Sequence, residues 1–202
     1  MRKLFFLLAT VLFVGCSDEA KQKPEGYVNF DFPGEEKSTN YYFIRHAEKE
    51  TENTEDNDPP LTLEGNKRSL YWASHFKSYD LNAFYTTPFM RNFQTAIPTL
   101  HEYQGKPDTF YPDQDSLFTK EFWNETVGKN VLVVGHNNTT PAFVNEIIRK
   151  AKYPTIDEQV FGNLYHVYID EKGKVSDTLY SFEQFSLPDE YQRIFEEEML
   201  ID

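Results

Sequence analysis

Two arginines and two histidines carry the chemistry that this chain can do. Arg45 and His46 follow a hydrophobic run, Arg91 stands in Thr86-Thr87-Pro88-Phe89-Met90-Arg91, and His136 closes Val133-Val134-Gly135-His136. The planar fork of an arginine donates two hydrogen bonds to one phosphate. A neutral imidazole nitrogen attacks phosphorus in line and forms a phosphohistidine, which water then hydrolyses. The transferred group spreads charge over its peripheral oxygens, so catalysis is chiefly positioning and electrostatic stabilisation. Flanking arginines lower the pKa of the attacking histidine and keep it neutral near pH 7. The second histidine stays protonated when phosphate is bound and donates to its oxygens. The scheme needs no metal and no cofactor, and the chain has no His-x-x-x-His or Cys-x-x-Cys spacing of the kind that binds zinc. A lone histidine after a strand is ordinarily structural; the weight rests on the four residues together.

These residues need strands and helix starts to hold them. Tyr41 to Arg45 is a short β-branched and aromatic run that reads as a buried strand. Thr62 caps a helix running to about Tyr79, with Leu63, Leu70, Ala73 and Phe76 or Lys77 on one face. Ala83 to Thr86 reads as a second strand. Thr87-Pro88 reads as the cap and first position of a helix with Met90, Phe93, Ile97 and Leu100 at helical spacing, bent or shortened at Pro98. Thr109 to Tyr111 is a third strand, and Asp115 opens a brief helix containing Leu117, Phe118 and Phe122. Val131 to Val134 is an unbroken apolar run of the parallel-sheet kind. Thr140-Pro141 starts another helix, lined by Phe143, Ile147 and Ile148. Leu164 to Ile169 and Val175 to Phe182 are two strands joined by a turn at Lys172-Gly173. Leu187-Pro188 begins a last amphipathic helix, with Tyr191, Ile194, Phe195 and Met199 inward, which either packs on the core or serves a partner. The alternation predicts an α/β layered fold with a mainly parallel sheet, whose ligands bind beyond the carboxyl ends of the strands. His46, Arg91 and His136 each follow a strand and so meet at one sheet edge.

Between them, residues 47–60 are acidic, with Glu48, Glu50, Glu52, Glu55, Asp56 and Asp58 closed by Pro59-Pro60. This stretch reads first as a solvated surface loop without structure, and more sharply as a mobile rim that screens incoming anions. His75 and His101 fall on helix surfaces. His166 alternates within a strand, facing solvent or a polar neighbour. Asn137, Asn138 and Thr139 form a helix start whose amides or side chains also suit phosphate, and Asn137 is the phosphate contact expected among them.

Arg45-His46-Ala47-Glu48-Lys49, Leu61-Thr62-Leu63-Glu64-Gly65, Thr86 to Thr95 and Val133 to Thr139 together resemble the histidine phosphatase superfamily, in its phosphoglycerate-mutase-like branch, from about Tyr41 to Tyr180. Ala47 followed by Lys49 is similar to the small extracytoplasmic or phosphohistidine-phosphatase-like members. The resemblance implies His46 as nucleophile, with Arg45, Arg91 and His136 completing the phosphate pocket. It also implies a three-layer sandwich with helices on both sheet faces. Many members carry a glutamate acid in an insertion after the second motif. Here that interval is short, and the carboxylates that offer an acid or orient the pocket are Glu48, Asp113, Asp115 and Glu121. Glu48 is as well placed to hold an arginine. A small pocket without a strong acid favours a good leaving group, such as a phosphorylated imidazole or an acyl phosphate, over an alkoxide.

The chain begins with Arg2-Lys3 and a short apolar run, Leu4 to Val14, below the about 20 residues that span a bilayer. It ends in Phe13-Val14-Gly15-Cys16, which resembles a bacterial lipoprotein signal with Cys16 as the lipidated residue. Residues 1–15 then form the signal, 16–39 a tether and 40–202 the domain, held by its lipid on the periplasmic or cell-surface side of a membrane. Cys16 is the single cysteine, so no internal disulfide forms. With 33 acidic against 20 basic side chains the net charge is −13, which argues against nucleic acid as a partner. The expected partner is a phosphorylated small molecule or phosphoprotein. Two alternatives differ in class: a phospholigand-sensing lipoprotein of little activity, and a phosphomutase, for which the interval after Arg91 leaves little room.

Overall fold

The computed structural model of the chain describes residues 37–53, 55–111 and 116–199. Cys16, the signal and most of the tether lie outside the described residues, as do Asp113, Asp115 and the side chain of Met199. Among the described residues no helix is long and apolar enough to cross a membrane.

Among the described residues eleven elements follow one another: β1 (Thr39–Arg45), α1 (Leu63–Phe76), β2 (Ala83–Thr86), α2 (Met90–Tyr103), β3 (Asp108–Thr109), α3 (Lys120–Thr126), β4 (Asn130–Gly135), α4 (Thr139–Ile148), β5 (Asn163–Ile169), β6 (Val175–Ser181) and α5 (Asp189–Met199). One six-stranded sheet runs in the order β3-β2-β4-β1-β5-β6. The first four strands in that order are parallel, whereas β5 and β6 are antiparallel to their neighbours. The parallel part is where β1, β2 and β4 end together, beside the motifs. The β5–β6 hairpin turns at Gly173, whose φ of +77° glycine adopts without cost.

Alternation along the central strands builds the two faces. Tyr41, Phe43, Val131 and Val133 pack against Phe122, Trp123, Phe143 and Ile147 of α3 and α4. Tyr42, Ile44, Leu132 and Val134 pack against Trp72, Phe76, Ala96 and Leu100 of α1 and α2. The result is the α/β sandwich expected, with helices on both faces. Helix α5 packs on α1 through Tyr191 and Phe195 against Leu70 and Ala73, which settles its place on the core.

Several local readings need correction. The Thr62 side chain does cap α1, accepting from the Gly65 amide, but the helix ends at Phe76 and Leu63 is 51% exposed. Helix α2 starts later than Thr87-Pro88: its N-cap is Phe89, without a side-chain cap of its own, and it runs through Pro98 to Tyr103. Its buried face is Asn92, Thr95, Ala96, Thr99 and Leu100, while Met90 and Ile97 are exposed. On that face Ala96 and Leu100 pack in the core, while Asn92 and Thr95 are held by hydrogen bonds. Helix α3 is capped by Thr119, so Leu117 and Phe118 precede it, and α4 is capped by Asn138 rather than entered at Thr140. The acidic stretch is not structureless: Lys49 bridges Leu61, and the Glu50 amide donates to the Pro60 carbonyl at 2.9 Å. His75 is partly buried and pairs with the Tyr79 hydroxyl at 3.0 Å. His166 meets the side-chain oxygen of Asn40 at 2.8 Å, the polar neighbour anticipated for it.

At Gly65 the first turn of α1 touches the segment that follows His46. A Cβ there would lie 2.1 Å from the Glu48 carbonyl oxygen. Alanine gains about 1 kcal/mol of helix propensity, yet overpacking against backbone costs about 1–3 kcal/mol or more. Gly65→Ala is therefore expected to lower the melting temperature despite its better propensity; an unchanged or raised midpoint in a thermal melt would refute the contact.

Candidate active site

The parallel strands deliver the site residues. Arg45 ends β1 opposite Gly135, which ends β4, and the His46 amide donates to the Gly135 carbonyl at 2.9 Å. Gly135 is required: a Cβ would come within 2.6 Å of the Thr140 hydroxyl. That hydroxyl donates to the Ile44 carbonyl at 3.2 Å, and the Thr139 hydroxyl accepts from the His136 amide at 2.9 Å. Helix α2 is tied to the same edge. Asn92 donates to the carbonyls of Val134 and Gly135 at 2.9 and 3.0 Å. The Thr95 hydroxyl accepts from the Ala47 amide at 2.9 Å and donates to the Arg91 carbonyl at 2.7 Å. Each tie is directional, so Arg91 is set relative to His46.

The His46 and His136 rings lie 5.4 Å apart, steeply inclined, and both side chains are buried. His46 Nδ1 is 2.8 Å from the Ala47 carbonyl oxygen. A carbonyl only accepts, so Nδ1 carries the hydrogen and Nε2 keeps its lone pair. Burial pushes the His46 pKa down to about 3, and Arg45, His136 and Arg91 add to the fall against the pull of the Ala47 carbonyl. Burial, then Arg91 and Arg45, push His136 down to about 4. Both imidazoles are neutral in the free pocket. A bound phosphate dianion reverses that local field and favours the imidazolium.

His136 Nε2 shares a 2.8 Å hydrogen bond with the Thr87 hydroxyl. Thr87 thus serves the site rather than the helix cap. Two aromatic rings flank the arginines: Phe161 lies 4.1 Å from the Arg45 guanidinium and Phe89 lies 4.4 Å from that of Arg91. Phe89 also meets the His136 ring edge-on at 5.1 Å. Arg45 Nη1 donates to the carbonyls of Asp157, Glu158 and Val160, and Nη2 meets the Glu158 carboxylate at 3.0 Å. Arg91 Nη1 lies 3.3 Å from an Asp58 carboxylate oxygen, and the same carboxylate accepts from the Met90 amide at 2.8 and 3.1 Å. Burial works against both guanidinium charges, while Glu158 and Asp58 support them. The Nε atoms of Arg45 and Arg91 are buried without a hydrogen-bond partner among the described residues. An orphaned N–H on each arginine is capacity for an anion.

The four expected residues are brought together; the other candidates fare differently. Asn137 is at the rim, where its amide donates to Glu158 at 2.6 Å. Glu48 is not a free acid. It takes Arg68 Nε at 2.8 and 3.0 Å and Nη2 at 2.7 Å, so it holds an arginine, but one outside the phosphate pocket. Glu121 is an exposed residue on α3, and no described contact brings it to the pocket. Thr87, Glu158, Phe89 and Phe161 escaped sequence reasoning, whereas Asp58 was read within the acidic rim but without its arginine partner. Of the four, Thr87 carried a signal, as a hydroxyl directly after a strand at the ligand edge. Among the described residues no group of three or more His, Cys, Asp or Glu is placed to hold a metal ion.

The two neutral histidines give a pH dependence of stability. Their folded pKa values lie below the ordinary 6.5, so the unfolded chain binds more protons as pH falls through that value, and stability declines down to about pH 3–4. At pH 4.5 the loss is on the order of 2–3 kcal/mol per histidine. Chemical denaturation at pH 7 and 4.5 checks this, with His46→Asn expected to remove about half of the histidine-dependent difference. An identical pH dependence in the variant would sink the assignment.

Residues 41–109 match the sequence model of the histidine phosphatase superfamily (branch 1), a span that holds Arg45, His46 and Arg91. No curated protein sequence matches the chain. Among solved structures, a phosphoserine phosphatase mutant from Entamoeba histolytica in complex with phosphoserine superposes with a TM-score of 0.56 at 12% identity, over 72% of this chain and 98% of that one. The protein histidine phosphatase SixA complexed with tungstate gives a TM-score of 0.52 at 19% identity, over 70% and 96%. The mycobacterial glucosyl-3-phosphoglycerate phosphatase gives 0.52 at 9% identity, over 74% and 100%. At these identities the likeness is one of fold.

Proposed function

We propose that the chain, whose residues 41–109 match the sequence model of the histidine phosphatase superfamily, is a metal-independent phosphatase acting through a phosphohistidine on His46. The observation that carries this reading is the bare Nε2 of a neutral, buried His46 set among Arg45, Arg91 and His136. Nε2 attacks phosphorus as the bond to the leaving group breaks, and the leaving group departs with the electron pair. Arg45, Arg91 and a protonated His136 hold the peripheral oxygens. Water then attacks the phosphohistidine, releases phosphate, gives up its proton to solvent and restores His46.

The substrates proposed are phosphohistidine and phosphomonoesters with good leaving groups. Glu48 is committed to Arg68 and does not supply an acid for an alkoxide. The SixA likeness supports the first of these by analogy of fold. The protein is further proposed to be a lipoprotein anchored through Cys16, with the domain outside the cytoplasm. The test is turnover of an aryl phosphate in chelator, with the phosphoenzyme trapped by rapid denaturation. Label that is stable in base, labile in acid and located on His46 is expected. No turnover, or turnover that needs added divalent metal, would overturn the reading.

A further inference from the structure

We infer that the mouth of this pocket selects phosphoryl groups carried on uncharged or cationic molecules and rejects anionic carriers. The inference rests on the reading of the pocket as a phosphoryl site and adds its substrate class. The inner charges are Arg45 and Arg91, whose side chains are 2% and 12% exposed. Each is met by a far more exposed carboxylate: Glu158 at 72% on Arg45 and Asp58 at 43% on Arg91. The order from inside to solvent is therefore cation, then anion, on both sides of the pocket. Glu158 also holds Asn137, and Asp58 also holds the first amide of α2, so these carboxylates sit on donors that suit phosphoryl oxygens.

A dianionic phosphoryl group uses both guanidinium charges. Whatever it is attached to then faces the rim, where Glu158 and Asp58 stand over the two guanidiniums and Lys49 lies back at the base of the acidic loop, bridged to Leu61. Arg68 is taken by Glu48, and the ion-paired lysines among the described residues, Lys77 and Lys152, are taken by Glu190 and Asp177. Exposed Glu50, Glu52, Glu55 and Asp56 extend the negative rim along the loop that ends in Asp58. The loop is pinned at its base: the Thr62 amide donates to the Glu48 carbonyl at 2.9 Å and the Leu61 amide to Gln94 at 2.8 Å. Its charge is thus held beside α2.

The experiment is calorimetric binding of three two-carbon phosphomonoesters to the full chain: ethyl phosphate, phosphoethanolamine and 2-phosphoglycolate. They differ chiefly in the charge of the carrier. Phosphoglycolate is expected to bind about tenfold more weakly than ethyl phosphate, and phosphoethanolamine at least as tightly, because like charge on the carrier is repelled by the rim carboxylates and opposite charge attracted. Asp58→Asn keeps a side-chain oxygen for the α2 amide, and Glu158→Gln keeps one for Asn137. Together they should narrow the gap to about twofold, and 1 M salt should do the same. Equal binding of the three, tighter binding of phosphoglycolate, or a gap untouched by both substitutions would overturn the inference. Aryl phosphate turnover run in parallel separates the two readings. Charge-selective binding without turnover removes the phosphatase and leaves the rim; turnover without charge selectivity removes the rim alone. No binding of any of the three overturns both.

Discussion

Replacing His46 with alanine is expected to cut turnover of an aryl phosphate by about 10⁴-fold or more while phosphate still binds within about tenfold of the parent. The two halves have different causes. The lone pair on Nε2 is the only protein group in the proposed scheme that forms a bond to phosphorus, so no other side chain replaces it. The anion, by contrast, is held by Arg45 and Arg91, and their settings depend on β1, α2 and the 157–160 segment rather than on the imidazole. Removing a buried ring leaves a cavity but no unpaired charge. Single-turnover rates and phosphate titration on the same preparation check both halves. A rate within tenfold of the parent would show that the nucleophile is another group.

The second large effect concerns stability. Glu48→Gln is expected to destabilise the fold by about 3 kcal/mol, because it leaves the Arg68 guanidinium buried without its counter-charge. Arg68 is only 4% exposed and Glu48 19%. Arg68 also donates to the Phe182 carbonyl at 3.1 Å and lies 4.5 Å from the Phe185 ring, so it cannot leave for solvent without cost. Pairing the change with Arg68→Met should recover part of the loss, since an apolar replacement of both partners avoids the stranded charge. Denaturant midpoints of the two single variants and the double variant measure this. If Glu48 were the proton donor instead, the melt would be little altered and the rate would fall chiefly on alkyl phosphates.

The sheet and the four inner residues were legible because their signals are local. Ala83 to Thr86 reads as a strand and is one, and the apolar run at Val131 to Val134 has no other comfortable place than a sheet covered on both faces. Residues that follow such strands then meet at one edge by topology alone. Helix α2 was misjudged for the opposite reason. Its inner face uses asparagine and threonine, whose burial is decided by partners distant in sequence, so Met90 and Ile97 drew attention to the wrong side. The pairing of Asp58 with Arg91 and of Glu158 with Arg45 was illegible in the same way. A carboxylate in an acidic stretch or an irregular connection looks solvated until the fold brings a guanidinium to it. Thr87 lies between these cases, since its place after a strand was visible but its histidine partner was not.

The polar seam between α2 and the strand ends also bears on how the protein can change. Apolar contact rewards any arrangement that hides area, so a helix held by it can slide or roll a little and keep most of its stability. Asn92 and Thr95 reward one orientation only, because carbonyls and amides have fixed directions. An Asn92→Leu substitution would leave the helix in place and the chain folded, but would take one donor from each of two strand-end carbonyls and loosen the angle at which Arg91 is presented. Variation on the outer side of this helix, at Met90 or Ile97, is cheap by comparison. Laboratory evolution of a new preference in this scaffold should therefore accumulate changes on the exposed flank and the acidic loop, and leave the asparagine–threonine seam untouched.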